Sequence, residues 1–198
     1  EACPFDVAGF SFSGLPGIVI GHNPHIAWGF TNLTTDVADL FVENVDGDRY
    51  LYDGQWKDMA VRQETIKVAG GEDVTITIRE TGHGPVVSDL GYGWGEIAEG
   101  AKEPAKAALS LRWTALDPGT TTEAIFGLNL ASDFAEFREA AALFAVPAQN
   151  LIYADAEGNI GYQTPGRLPI RATGRDGSLP TPGWGSEYDW QGFIPFEE

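Results

Sequence analysis

Apolar and polar residues alternate along much of the chain, which is the pattern of half-buried β-strands. The alternation is clearest in Thr65–Val68 and Val74–Ile78, where apolar side chains fall on one face and polar ones on the other. Gly70-Gly71 separates these two runs and predicts a hairpin. A second hairpin is predicted at Asp53-Gly54, because this pair of residues favours a two-residue turn.

Other short apolar runs predict further strands in both halves of the chain. They are Gly17–Ile20, Ile26–Phe30, Leu40–Val42, Leu109–Trp113, Asn150–Tyr153 and Asn159–Tyr162. The last two are joined by the turn-forming stretch Asp155–Gly158. Strands that follow one another through short turns pair antiparallel, so we expect mainly antiparallel sheet.

Helical spacing is found in one region of the second half. Phe134, Phe137, Ala141 and Phe144 recur at helical intervals and predict a helix over 133–145. Ser132 or Asp133 can cap its first turn, with Glu136 at the spacing of a capping box. A shorter helix is expected over 121–130.

These elements predict an α+β fold that is mainly antiparallel β-sheet with one or two helices. We expect residues 1–198 to form a single partial domain. The stretch 88–106 is rich in Gly, Glu, Lys and Ala and is expected to be a variable loop. The stretch 165–198, rich in Pro, Gly and Trp, is expected to wrap over the surface.

The charge balance argues against two classes of partner. The chain has 29 acidic and 12 basic residues and a net charge of −17. Nucleic acids and anionic membranes both require clustered basic residues, so neither is an expected partner.

The chain has a single cysteine, Cys3, which excludes a disulfide framework within these residues.

Simple catalytic motifs are missing from the sequence, and its histidines are weak candidates. The chain has neither a glycine-rich phosphate loop nor a G-x-S-x-G elbow. His22 and His25 flank Asn23-Pro24 and are interpreted as turn or packing residues, because no other His or Cys lies near in sequence to complete a metal site. His83 is expected to be a loop residue hydrogen-bonded to backbone.

Asp36 and Asp39 form a more suggestive pair. If the chain turns between them, their carboxylates and the carbonyl of Val37 or Ala38 could converge. Carboxylate and carbonyl oxygens are the ligands of Ca²⁺. On spacing alone, however, an ordinary polar turn explains the pair better.

An ordered series of short motifs resembles the penicillin acylase (penicillin amidase) family, specifically part of its β chain. The first motifs are Gly14–Gly17, Ile20–Asn23, Ile26–Gly29, Thr31-Asn32 and Asp36–Glu43. The later ones are Tyr52–Trp56, Glu64–Val68, Thr81–Pro85, Asn150–Tyr162 and Leu179–Trp184. Each motif is short, but the ordered set covers nearly the whole chain.

The resemblance implies an N-terminal nucleophile hydrolase with an αββα sandwich. In that family the hydroxyl of an N-terminal Ser attacks an amide carbonyl, and the α-amine of the same Ser accepts the proton. This chain starts with Glu1, so we expect the nucleophile to be absent and the piece alone to be inactive. Cys3 is a poor substitute, because Pro4 follows it and the Gly14 motif is too near.

The resemblance also assigns roles to individual positions. It implies that the backbone N–H of Asn32 belongs to an oxyanion hole, and that Asn150 lies near the nucleophile. The implied acyl-pocket residues are Ile20, Phe30 and Gln149, although Ile20 and Phe30 also suit a hydrophobic core. The implied calcium ligands are Asp36, Asp39 and the carbonyls of Ala38 and Gly177.

The implied partners are a small acyl amide and the remaining α- and β-chain segments of the precursor. The substrate could be a penicillin, an N-acyl homoserine lactone or a related acyl amide, cleaved outside the cytoplasm in the periplasm or after secretion. Uncovered apolar sheet surface in this piece would favour self-association. The alternative is a non-catalytic β-rich module that binds carbohydrate on its Trp and Tyr side chains, or binds calcium.

Overall fold

A computed structural model describes residues 3–91 and 107–197 of the chain. The expected loop over 88–106 therefore lies mostly outside the described residues. Its first residues form a short 3-10 turn, Ser88–Leu90.

The described residues contain strands β1 to β13 and helices α1 and α2. The strands are β1 Ala8–Phe10, β2 Ile20–His22, β3 Ile26–Asn32, β4 Ala38–Asp46, β5 Arg49–Tyr52, β6 Gln55–Asp58, β7 Ala60–Ile66, β8 Val74–Thr81, β9 Gly84–Pro85, β10 Ala107–Trp113, β11 Gln149–Asp155, β12 Ile160–Gln163 and β13 Thr181–Pro182. The helices are α1 Thr121–Leu130 and α2 Phe134–Ala142. The α+β expectation is confirmed, since all strand pairs but one are antiparallel among the described residues.

The chain divides into two compact units. The αβ unit consists of Glu1–Asp36, Asp117–Leu168 and Phe193–Glu198. The β unit consists of Val37–Leu116 and Pro169–Gly192. Whether both units belong to one partial domain stays a prediction.

The αβ unit is built on a five-stranded sheet with the order β1-β2-β3-β11-β12. Alternate residues of β3 and β11 point to one face, where they pack against the helices. This face carries the main core, which is formed by Ile26, Trp28, Leu128, Ala131, Phe137, Ala140, Ala141, Leu151 and Tyr153. The apolar residues that alternate along the strands and those that recur at helical spacing both contribute to this core.

Both expected helices are present. The Asp133 side chain accepts a hydrogen bond from the backbone N–H of Glu136 at 2.9 Å, so Asp133 caps α2 as expected. The Glu136 carboxylate in turn accepts bonds from the backbone N–H and the hydroxyl of Ser132, each at 2.8 Å. The helix ends at Ala142, three residues before the expected end.

The β unit contains two sheets. One has the order β10-β4-β5-β6, with β13 paired in parallel to β4, and the other has the order β7-β8-β9. Both expected hairpins are confirmed: Asp53-Gly54 joins β5 to β6, and the Gly70-Gly71 stretch joins β7 to β8. Asp53 and Gly54 have φ values of 49° and 73°, as a primed hairpin turn requires.

The expectation that 165–198 only wraps over the surface is wrong in part. Thr181 of β13 is 4% exposed and pairs with Phe41 of the central strand β4. Ala172 is also buried. The segment joins the sheet because its backbone can bond the open edge of β4, which its Pro and Gly content does not reveal.

No helix among residues 3–91 and 107–197 is long and apolar enough to cross a membrane.

Candidate functional site

The C-terminal end of β3 carries the residue expected to contribute a backbone donor. Asn32 pairs with Gln149 of β11, and Leu33 donates its backbone N–H to the Ala148 carbonyl at 3.0 Å. In an antiparallel pair, alternate residues bond to the partner strand and the residues between them point away. Because Leu33 bonds to the β11 side, the N–H of Asn32 points away from β11.

The other side of β3 is covered by β2 for only part of its length. The paired residues are Gly21 with Trp28 and His22 with Ala27. Asn32 lies four residues beyond Trp28, and among the described residues no strand pairs with it on that side. Its N–H is therefore presented at a strand edge, where it can donate to an anionic oxygen.

Polar side chains brace the strand end at Asn32. The Asn150 amide donates to the Asn32 carbonyl at 3.2 Å and to the Thr31 hydroxyl at 3.3 Å. The Tyr162 hydroxyl donates to the side-chain oxygen (Oδ1) of Asn150 at 2.5 Å. The Asn32 side chain accepts the backbone N–H of Thr34 at 2.9 Å, which shapes the turn that follows. Asn150 thus fixes the position of the exposed donor.

The three expected pocket residues lie on different faces of the sheet. Phe30 and Gln149 are on the face that packs against the helices; the Phe30 ring meets the Phe144 ring edge-on at 5.8 Å, and Gln149 is 4% exposed. Ile20 lies on the opposite face beside Ile152, because both side chains flank the Cα of Gly29. Phe30 therefore has the core role that any β protein would give it, and the acyl-pocket assignment stays a prediction.

Asp39, an expected calcium ligand, is buried and already bonded. Its carboxylate accepts Arg171 Nε at 3.1 and 2.9 Å on its two oxygens and Trp190 Nε1 at 2.5 Å. A carboxylate has about four lone-pair positions, so few remain for a cation. Asp39 is 5% exposed, and Arg171 neutralises its charge.

Asp36 and Gly177 are two more of the expected calcium ligands. Asp36 is exposed and precedes β4, whereas Gly177 lies in a turn where the Asp176 carboxylate accepts the backbone N–H of Ser178 at 3.0 Å. In the described part of the chain, no group of three His, Cys, Asp or Glu side chains is placed to hold a metal. The donor types suit Ca²⁺, but the fit is partial.

The expectation for His83 is wrong in part: the residue lies in the turn between β8 and β9, but its ring bonds to carboxylates rather than to backbone. Nδ1 lies 2.8 Å from Glu43 Oε1, and Nε2 lies 3.0 Å from Asp189 Oδ1. The ring stacks on Phe41 with centroids 4.0 Å apart. His83 is 6% exposed and Glu43 is completely buried. The pairing joins residues far apart in sequence, so no local motif announces it.

Further donors complete this buried cluster. Glu43 Oε1 also accepts the hydroxyls of Thr81 and Ser110, each at 2.7 Å, whereas Oε2 has no hydrogen-bond partner among the described residues. The Tyr52 hydroxyl donates to Asp189 at 2.5 Å. That bond to Asp189 raises the pKa of Tyr52 well above its usual value. We call Glu43, Thr81, His83, Ser110, Asp189 and Tyr52 the His83 cluster.

The remaining histidines flank a turn, as expected: His22 is the last residue of β2, and His25 lies in the turn before β3. The Asn23 side chain organises the turn: its oxygen accepts the backbone N–H groups of His25 and Ile26, each at 2.9 Å. Its amide donates to the Ala131 carbonyl at 2.7 Å. The turn is thereby held at the C-terminal end of α1.

Sequence reasoning missed Tyr162 and the partners of His83. Tyr162 reaches Asn150 only because β12 pairs with β11. One signal was present in β4, where Asp39, Phe41 and Glu43 alternate in a strand pattern. Two carboxylates at the buried positions of one strand indicate partners of opposite charge.

Comparison with known families gives one match over the entire chain. The penicillin amidase family matches residues 1–198.

Individual relatives agree with this match. An acyl-homoserine lactone acylase QuiP of Pseudomonas aeruginosa is 35% identical over 96% of this chain, and penicillin G acylase of Escherichia coli is 35% identical over 98%. The chain spans 23% and 22% of the length of these two relatives. The solved structure of a thermostable penicillin G acylase from Alcaligenes faecalis is similar with a TM-score of 0.81 and 31% identity, covering all of this chain and 34% of that one.

Proposed function

Because the chain belongs to the penicillin amidase family, we propose that it is the scaffold of an amide hydrolase that removes an acyl group from an amine. Family members are acylases, and two similar proteins are named for penicillin G and for acyl-homoserine lactones. Both substrates contain an acyl group joined to nitrogen by an amide. The proposed substrate class is therefore a small acyl amide.

One observation carries this proposal: the N–H of Asn32 points away from β11 at a strand edge that β2 does not cover. Attack on an amide carbonyl develops negative charge on its oxygen. A fixed N–H donor at about 3 Å stabilises that charge more than it stabilises the neutral substrate. Asn150, held by Tyr162, keeps this donor in place.

The attacking hydroxyl is proposed to come from an N-terminal Ser in another segment of the precursor. Its free α-amine titrates near pH 8 and can accept the hydroxyl proton at neutral pH. An acyl-enzyme forms on the Ser oxygen as the amine leaves, and water then releases the acid. The strand edge at Asn32 is where such a segment can dock.

The function is tested by hydrolysis of chromogenic phenylacetyl and fatty-acyl anilides. We expect turnover from the full-length precursor after maturation and none from these 198 residues alone. Comparing the two acyl groups identifies the preferred substrate. Robust turnover by the chain alone would show that the nucleophile has been misplaced, and no turnover by the mature protein on any acyl amide would overturn the function.

Calcium binding is proposed for the acidic turn of Asp36 and Asp39, with the carbonyls of Ala38 and Gly177. We expect weak binding, because Arg171 and Trp190 already use most of the Asp39 carboxylate. Calorimetric titration with Ca²⁺ measures this, and an Asp36→Ala, Asp39→Ala double variant is expected to lose the binding heat. Equal binding by parent and double variant would show that the ligand set is wrong.

Self-association is proposed for the sheet face opposite the helices. Several apolar side chains there are exposed: Phe10 80%, Ile152 57%, Ile160 87% and Tyr162 56%. Exposed apolar patches of this kind drive contacts between copies or with missing segments. We expect sedimentation velocity to show an average mass that rises with concentration.

A matched pair of variants separates this face from general stickiness. Ile152→Lys and Ile160→Lys together are expected to reduce association. Leu179→Lys, at a residue 74% exposed in the β unit, should leave it as it is. A monomer at all concentrations would contradict the proposal.

A periplasmic or secreted location also stays a proposal, which cell fractionation tests.

A further inference from the structure

The His83 cluster contains one imidazole between two carboxylates. Nδ1 faces Glu43 Oε1 at 2.8 Å and Nε2 faces Asp189 Oδ1 at 3.0 Å. Ionised carboxylates only accept hydrogen bonds, so both ring nitrogens need a proton to make both bonds. A neutral ring carries one proton and would turn a nitrogen lone pair towards one carboxylate. The geometry therefore selects the imidazolium.

The two carboxylates differ in their access to water. The Glu43 side chain is fully buried, whereas that of Asp189 is 32% exposed. Without His83, Glu43 would keep only the neutral hydroxyls of Thr81 and Ser110 to offset the cost of burying its charge, whereas the partly exposed Asp189 can be solvated. When His83 loses a proton, the remaining ring N–H is therefore kept for Glu43, and the bond to Asp189 is the one that breaks.

We propose that His83 forms a pH-dependent link between strand β4 and the segment around Asp189, and that its deprotonation releases Asp189 and loosens the turn Ser186–Tyr188. The backbone of this turn is close to the link, since the N–H of Asp189 bonds to the Ser186 carbonyl at 3.2 Å. Released from His83, the Asp189 carboxylate becomes solvated.

The loosening is local, because other contacts of the segment do not involve His83. The backbone N–H of Ser186 bonds to Asp53 at 2.9 Å, and Trp190 bonds to Asp39. The Tyr52 hydroxyl keeps Asp189 within reach for rebinding. The link is thus reversible and leaves the sheet intact.

Charged and titratable groups around the ring come from every neighbouring element. They are Glu43 and the more distant Asp39 on β4, Arg171 paired with Asp39, Tyr50 and Tyr52 on β5, Asp53 in the hairpin turn, Lys57 over the Tyr52 ring at 4.0 Å, and Asp189. The two carboxylates in direct contact with the ring are negatively charged when ionised, so their electrostatic field stabilises the protonated ring.

The pH window follows from the direction of the shift. Burial by itself lowers the pKa of His83, but hydrogen bonds and charge from Glu43 and Asp189 outweigh it and raise the pKa above its ordinary value. The folded chain thus binds the proton more tightly than the unfolded chain. The stabilisation is complete below about pH 6.5 and is lost as the pH rises through the folded pKa.

Histidine ring NMR combined with amide hydrogen exchange, recorded on the full chain across pH 5 to 9, tests the link. We expect His83 to titrate above the ordinary histidine pKa of about 6.5, with two ring N–H signals below the transition. Protection of the amides over 186–190 against exchange, after correction for the intrinsic rise of exchange with pH, should fall at the same pH. Titration of His83 at or below that ordinary pKa, or no step in amide protection, would overturn the proposal.

An Asp189→Asn variant keeps the shape and one acceptor oxygen for His83 but removes the negative charge. We expect it to fold, to move the His83 titration to lower pH and to shift the exchange step with it. His25→Gln, in an exposed turn, is the control and should move neither. An unchanged His83 titration in Asp189→Asn would show that Asp189 does not hold the proton.

Discussion

Glu43→Ala is expected to lower the free energy of unfolding by about 3–5 kcal/mol, the usual cost of removing one partner of a buried ion pair. Glu43 is completely buried and accepts from Thr81, His83 and Ser110. Its loss leaves these three donors unpaired inside the β unit. Urea unfolding followed by circular dichroism measures the effect.

Two further variants test whether the charge and burial of Glu43 cause this loss of stability. Glu43→Gln keeps one acceptor oxygen and should be less damaging. Its amide nitrogen would take the place of Oε2, beside the backbone of Gly183. Glu64→Ala removes an exposed partner of Arg62 and should change stability little. An equal loss in Glu43→Ala and Glu64→Ala would mean that the cluster does not stabilise the fold.

Asn32→Pro in the full-length protein is expected to reduce kcat for acyl anilides by about 100- to 1,000-fold, the usual cost of losing one oxyanion donor. Proline removes the backbone N–H of Asn32, and this N–H makes no ladder bond to β11. The sheet should therefore tolerate the change. Single-turnover acylation kinetics measure the loss at the chemical step.

Asn32→Ala is the matched control for this experiment. It removes the same side chain, including its bond to Thr34, but keeps the backbone N–H. We expect it to lose far less activity than Asn32→Pro, with both variants showing similar thermal unfolding. Equal losses in the two variants would assign the effect to the side chain and reject the backbone donor.

Much of the fold was predictable because its signals are local. Alternation in Val74–Ile78, the turn residues Asp53-Gly54 and the cap at Asp133 each depend on neighbours a few residues away. The same local rules predicted α1 and α2. The parallel pairing of β13 with β4 joins residues about 140 apart and has no local signal.

The candidate site divides in the same way. The ordered motifs pointed to Asn32, but only the register of β3 with β11 shows where its N–H points. The face of the sheet on which each side chain lies separates Ile20 from Phe30 and Gln149, which the sequence alone had grouped together. A shift of one residue would reverse every one of these directions.

The sequence by itself determined the α+β class, the hairpins, the helices and the family, since periodicity, turn chemistry and motif order are properties of the chain read in one direction. The tertiary structure alone decided that His83 lies between Glu43 and Asp189 and that Arg171 and Trp190 bind Asp39. Such pairs form because a buried charge must find a partner, and packing brings that partner from a distant part of the chain.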